Sequence, residues 1–281
     1  MPTLPDFVFL VLIYFAGSAY CQFGYSTAEQ KRWAVDFPQC GGSSQSPIEI
    51  YTGSVIPAFI PRLKLYGYDW PLPFPVILKN DGKTADVSSL NTDVTRYPHL
   101  AFLNSLYRFV GFHFHWGKNQ KGSEHVVNGK SYPVELHIVH RNVKYSESQA
   151  LNFQDGLLVL GIFFEVSSVD NPNLYSVTNY LRYIRAENAT TTISTHCSLG
   201  GLLGSLNINK FYTYQGSLTT PPCSETVTWI VFANILNISH RQLNEFRQLI
   251  GTDGKIIRNY RHLQPLNGRP VYVRSGSKWR G

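Results

Sequence analysis

Tyr107–Trp116 reads YRFVGFHFHW, and apart from Arg108 and the two histidines every residue in it is aromatic, β-branched or glycine. That composition suits a pleated, buried strand. Strict alternation of side chains then puts Phe109, Gly111, His113 and His115 on one face and Val110, Phe112, Phe114 and Trp116 on the other. Histidines at i and i+2 stand roughly 7 Å apart along a strand, near enough for both rings to converge on one metal ion. A third ligand comes from Val134–Arg141, VELHIVHR, where Glu135, His137 and Val139 share a face opposite Leu136, Ile138 and His140. Antiparallel pairing of the two runs brings His137 to the point reached by His113 and His115. Three neutral imidazoles leave a tetrahedral zinc ion one open position, and water bound there has its pKa lowered to about 7. The plainer reading is a histidine-rich sheet face bonded within itself. A lone histidine favours that reading; three on facing strands, flanked by carboxylates, favour the metal.

Working outward, further runs of strand character are Arg62–Tyr66, Val76–Leu78, Leu157–Val166 and Thr226–Phe232. Turn signals such as Asn80-Asp81-Gly82, Asn128-Gly129 and Asp170-Asn171-Pro172 separate the runs. Helical periodicity is confined to Leu174–Arg185 and Ser239–Ile250, the latter opening on Ser239 as N-cap. No repeat, low-complexity tract or long linker interrupts the chain, so the pattern predicts one mainly β (α+β) domain with short peripheral helices.

The chain has 281 residues, 43% hydrophobic and 15% charged, which excludes a disordered or collagen-like chain. Its net charge of +7 admits a nucleic-acid partner until its location is examined. Nine basic residues against two acidic ones lie between Arg241 and Gly281, and the first 240 residues balance. Phe7–Ala16, FVFLVLIYFA, is too short for a bilayer span but fits a signal-peptide core, with Ala19-Tyr20-Cys21 as the cleavage site. The expectation is therefore a leader over residues 1–21, a domain over residues 22–281 ending in a short basic tail, and a secreted, extracellular protein with no membrane anchor. Asn188-Ala-Thr190 and Asn237-Ile-Ser239 are acceptor sequons for that route. Cys21 leaves with the leader, and Cys40, Cys197 and Cys223 remain: one bridge and one spare thiol.

The residues resemble the α-class carbonic anhydrases over nearly the whole mature chain. The fragments that carry the likeness are Tyr107-Arg108, Phe112–Gly117, Gly122–His125, Glu135-Leu136-His137, Leu157–Phe163, Ser217–Pro222, Val227–Val231, Gln264-Pro265-Leu266 and Gln45–Ile48. The resemblance implies a central, strongly twisted, mostly antiparallel sheet of about ten strands, with one zinc ion at the bottom of a cone. His113, His115 and His137 would hold it, and Glu135 would accept the other ring proton of His137. Thr219 would accept a hydrogen bond from zinc hydroxide while donating its own proton to Glu124, which aims the hydroxide at carbon dioxide. Val139, Val159, Leu218, Val227 and Trp229 would line an apolar wall for that substrate, with Thr220 and Tyr25 on the polar side. As strand residues those five are equally ordinary core. The implied reaction is reversible hydration of carbon dioxide to bicarbonate and a proton, inhibited by sulfonamides.

Three positions depart from the family pattern. Lys83 stands where fast members carry a proton-relaying histidine; with an ordinary pKa of about 10.4 it is a poor acceptor at neutral pH, so slower turnover is expected. Gly111 replaces a Gln that would hydrogen-bond His113, and Asp86 replaces a neutral Asn, adding negative charge at the cavity mouth. Cys40 and Cys223 resemble the bridging pair of extracellular members, which leaves Cys197 as a packed small residue; His125 and His140 are read as structural hydrogen-bonders. The other reading is a catalytically weak carbonic anhydrase-like matrix or binding protein, although such relatives usually lose a zinc-binding histidine and none is missing here. The leader and the histidines make a nucleic-acid partner improbable; the basic end, including Arg274, Lys278 and Arg280, instead suits an anionic matrix or glycan.

Overall fold

A computed structural model describes residues 23–275; the expected leader, Cys21, and the tail residues Lys278 and Arg280 lie outside them. One sheet of thirteen strands dominates, and its main run crosses ten of them. In spatial order these are Thr190–Ile193, Val76–Asn80, Ala85–Ser89, Ser105–Trp116, Val134–Asn142, Leu157–Ser167, Val227–Phe232, Phe211–Gly216, Tyr272–Ser275 and Ile56–Phe59. Neighbours pair antiparallel except at Leu157–Ser167 with Val227–Phe232 and at Tyr272–Ser275 with Ile56–Phe59. The mostly antiparallel sheet is thus as expected. Among the described residues no helix is long and apolar enough to cross a membrane.

The sheet separates two cores. On one side Phe112, Phe114, Trp116, Leu136, Ile138, Leu158, Leu160 and Ile162 are buried among the peripheral turns. On the other Val159, Val227, Trp229 and Val231 form a smaller cluster with Val139 and Leu218 packed against it. The alternation in Ser105–Trp116 is broken once, by a bulge between Phe109 and Gly111. The extra residue puts Phe109 in the larger core with Phe112, not on the histidine face where strict alternation placed it. Gly111, His113 and His115 keep their face because the break lies before them.

Helices depart from the sequence pattern more than strands do. Leu174–Arg185 is not one helix but a 3-10 turn at Pro172–Leu174, one α-turn at Tyr175–Thr178 and a second 3-10 turn at Leu181–Tyr183. Its buried residues Leu174, Val177, Thr178, Leu181 and Ile184 keep the spacing of an α-helical face, so the break into separate turns does not show in that spacing. The later helix is shorter than its pattern, His240–Phe246, capped by Ser239 as expected; Ile250 then enters a two-residue strand. Thr27–Asp36 forms a helix that apolar periodicity missed, since Trp33 is its one buried residue. Its sign was the capping box Ser26-Thr-Ala-Glu29, in which each side chain meets the other's backbone N–H.

Candidate active site

Register decides the site. His113 pairs with His137 across the central strands, and His137 pairs in turn with Gly161. One ligand-competent nitrogen from each of His113, His115 and His137 lies within 4.8 Å of the others. Their outer nitrogens are treated unequally. His115 Nδ1 donates to the Asn259 carbonyl at 2.7 Å, which leaves the Nε2 lone pair free, and this fully buried atom has no hydrogen-bond partner. His137 Nε2 donates to Glu135 Oε1 at 2.8 Å, freeing Nδ1. Among the described residues no comparable partner holds His113. Burial and the neighbouring rings hold the pKa of His113 well below the histidine range, burial brings His115 to about 4, and burial and His115 lower His137. Three neutral imidazoles with inward lone pairs and an orphaned buried nitrogen fit a tetrahedral cation such as zinc.

A second trio, His125, Glu135 and His137, is equally close but does not make a metal site. Glu135 Oε1 already accepts from His125 Nδ1 at 2.7 Å and from His137 Nε2, while Oε2 accepts the backbone N–H groups of Glu124 and His125, each at 2.8 Å. Burial alone would push the Glu135 pKa up, yet the two histidines and these bonds hold it well below the carboxylate range. On its other side His125 Nε2 lies 2.7 Å from the Tyr214 hydroxyl, which also bonds Ser46 Oγ at 2.8 Å. The chain of bonds anchors Glu135 to a second strand, and with it His137.

Glu124 approaches from the loop before the second histidine strand. Its Oε2 stands 3.5 Å from His115 Nε2, and its Oε1 accepts the Arg261 N–H at 2.8 Å. Burial pushes its pKa up to about 7, against the opposing pull of His137, Thr219 and Arg261. Thr219 itself is 5% exposed. It sits in the turn after Phe211–Gly216, where Leu218 N–H meets Ser224 O at 3.0 Å and Cys223 N–H meets Thr220 O at 2.8 Å. Cys40 and Cys223 are disulfide-bonded, tying that turn to the N-terminal segment. Ser46 and Ser217 exchange backbone-to-hydroxyl bonds beneath it. Cys197 is buried and free.

The five apolar candidates form one continuous wall. Val139 pairs with Val159 and Val159 with Trp229 across three strands. The Trp229 ring lies 4.8 Å from that of His137 and is held by its Nε1–H to Ser217 O at 3.1 Å. Val227 and half-buried Leu218 belong to the same cluster. Tyr25 packs edge-on to Trp33 at 5.8 Å; burial, then Glu124, then Asp81 raise its phenol well above the ordinary range. Thr220 is half-buried on the same turn as Thr219.

Lys83 is half-buried, its Nζ 5.6 Å from the Phe23 ring centre. Asp86 is the cross-strand partner of His113 and half-buried, and burial with Asp81 pushes its pKa up to about 7. At neutral pH it therefore bears only part of its charge. Gly111 faces Ser88, and a Cβ there would meet the Val87 carbonyl at 3.0 Å, so the strands approach too closely for an easy side chain. Asn188 and Asn237 are both exposed.

Two supporting residues carried no sequence signal. Buried Asn259 accepts the Trp116 N–H, donates to the Phe114 and Lys83 carbonyls, and offers its own carbonyl to His115. Buried Arg261, one of the basic residues after Arg241, bonds Gln45 Oε1, Ser46 O and Cys40 O, and stacks 5.4 Å over Trp33. Each lies more than 120 residues from the groups it serves around the histidine strands or Glu124, beyond any local pattern.

Residues 28–275 match the family model for eukaryotic-type carbonic anhydrase. Carbonic anhydrase 7 of Homo sapiens is 37% identical over 247 residues, covering 85% of this chain and 91% of that protein. Its Mus musculus counterpart is 36% identical over the same length. The chain therefore belongs to the eukaryotic-type carbonic anhydrase family, whose members are zinc-dependent enzymes of carbon dioxide hydration.

Proposed function

We propose that this protein is a secreted zinc enzyme that interconverts carbon dioxide and bicarbonate, with His113, His115 and His137 as the ligands. The observation that carries the reading is the inward-facing trio of neutral imidazole nitrogens beside an apolar wall. A zinc ion there supplies Lewis acidity, lowering the pKa of water to about 7. Asn259 and Glu135 hold two of the rings in the tautomers that leave their lone pairs inward. Thr219 gives its proton toward Glu124, so its oxygen accepts from the attacking oxygen and turns that atom's lone pair toward the substrate. Val139, Val159, Leu218, Val227 and Trp229 hold nonpolar carbon dioxide and exclude water, while Thr220 and Tyr25 offer polar groups to the product.

Lys83 stands on the proton's path to solvent and makes export slow relative to a histidine. The leader over residues 1–21, the bridge between Cys40 and Cys223, and glycosylation at Asn188 and Asn237 are parts of one secretory reading. The basic end, with Arg274, Lys278 and Arg280, would then meet anionic matrix. Zinc stoichiometry, stopped-flow hydration of carbon dioxide and inhibition by a sulfonamide test the catalytic reading; one zinc per chain with no hydration activity would overturn it. Recovery of protein beginning at residue 22 from culture medium tests the secretory one.

A further inference from the structure

Outward of the histidines, the same sheet face carries two arginines that the hydration chemistry does not use. His99 lies opposite Arg108, and Arg108 opposite Arg141, so three neighbouring strands contribute one residue each to a line across the sheet. Their sequence neighbours Leu100, Tyr107 and Phe109 point into the larger core, which leaves the line on the histidine face. Arg141 is four residues from His137 on the same strand, about 14 Å at strand rise.

Two arginines directly opposite each other in an antiparallel pair have Cα atoms roughly 5 Å apart, and like charges so placed are destabilising. Among the described residues neither arginine is in an ion pair. Arg141 donates to the Tyr145 carbonyl, and Glu147 acts on it only from beyond ion-pair distance. Both arginines are half-buried.

We propose that Arg108 and Arg141 form a binding site for a doubly charged tetrahedral oxyanion, a sulfate or phosphate group, on the outer lip of the cavity. The chemistry selects this class. Each guanidinium is a planar fork that takes two oxygens of one edge. A tetrahedral anion offers a separate edge to each fork and neutralises both charges. A planar monoanion such as bicarbonate offers its single charge to two forks and leaves one arginine uncompensated. The two charges come either from the free dianion or from two neighbouring sulfate esters of one sugar, each a monoanion that takes one fork.

The test uses the full chain with its histidine site saturated by a tight sulfonamide, so that anions cannot bind there. Calorimetric titration with sodium sulfate, chloride holding the ionic strength constant, should show one saturable site per chain. Arg141→Gln and Arg108→Gln should each weaken it by about tenfold or more. Arg141→Glu, which turns the facing pair into an ion pair, should abolish it and raise the melting temperature at low salt. Sulfonamide stoichiometry reports that each variant is folded. A sulfated trisaccharide that binds tighter than sulfate, with the gain lost in Arg141→Gln, identifies a glycan as the source; equal affinity identifies the free ion. No saturable site in the native protein, or one unchanged in folded glutamine variants, overturns the proposal.

Discussion

Glu135 Oε1 lies 2.8 Å from Nε2 of His137, two residues along the same strand, and receives Nδ1 of His125 on the same oxygen. One carboxylate thus selects the tautomer of a ligand histidine and is itself locked by four donors. Glu135→Gln keeps the shape but removes the charge and one acceptor oxygen. Zinc affinity is expected to fall by about 10- to 100-fold, measured by chelator competition. An unchanged dissociation constant would show that His137 needs no such partner.

His140 supplies a pH-dependent element of stability. It is fully buried, 2.6 Å from the Tyr68 hydroxyl through Nε2, and burial pulls its pKa down to about 3. Its folded pKa lies below the unfolded value of about 6.5, so the unfolded chain takes the proton first. Stability from this group is fully present above pH 6.5 and declines as pH falls toward 3, by about 1.4 kcal/mol per pH unit. Denaturant unfolding from pH 7 to pH 4.5 should show a flatter profile for the double variant Tyr68→Phe, His140→Leu than for the native chain; parallel profiles would refute the assignment.

Lys83→His places an imidazole of ordinary pKa about 6.5 on the proposed exit path of the proton. Turnover in dilute buffer is expected to rise, with little change in concentrated imidazole buffer, which exports the proton itself. Stopped-flow rates at two buffer concentrations decide it, and equal rates in dilute buffer would mean that another group carries the proton.

The bridge between Cys40 and Cys223 closes 183 residues. By chain entropy it stabilises by up to roughly 5 kcal/mol. Replacing both cysteines by serine should lower the unfolding midpoint by a matching amount and also depress activity below that point, because the turn bearing Thr219 and Thr220 loses its anchor. Loss of stability with full activity retained would confine the bridge to a structural role.

Gly111→Ala tests how closely the strands approach beside His113. The new Cβ meets the Val87 carbonyl at 3.0 Å, tighter than ordinary contact. A stability cost of about 1–3 kcal/mol is expected by denaturant unfolding, with a smaller effect on zinc affinity since glycine gives His113 no bond to lose. A neutral substitution would show that the strands give way.

Much of this molecule is written locally. A period of two over Tyr107–Trp116 and Val134–Arg141 is a property of the strand itself, so the histidines' shared faces and the alternation of Leu136 and Ile138 into the core were legible without coordinates. The bulge after Phe109 was not, because an inserted residue reveals itself only against its partner strand. Leu174–Arg185 misled because its buried positions keep a helical spacing although the backbone breaks into separate turns.

Residue chemistry in the sequence therefore determined most of the strands, the candidate ligand set and the family resemblance, since these depend on spacings of two to a few residues. Tertiary structure alone decided which outer groups clamp the rings, that Asp86 sits level with His113, and that Arg108 faces Arg141. Those facts depend on register between strands and on loops such as the one that brings Asn259 and Arg261 beneath the site. Such contacts join residues far apart in the chain and become fixed only when the whole sheet closes around its two cores.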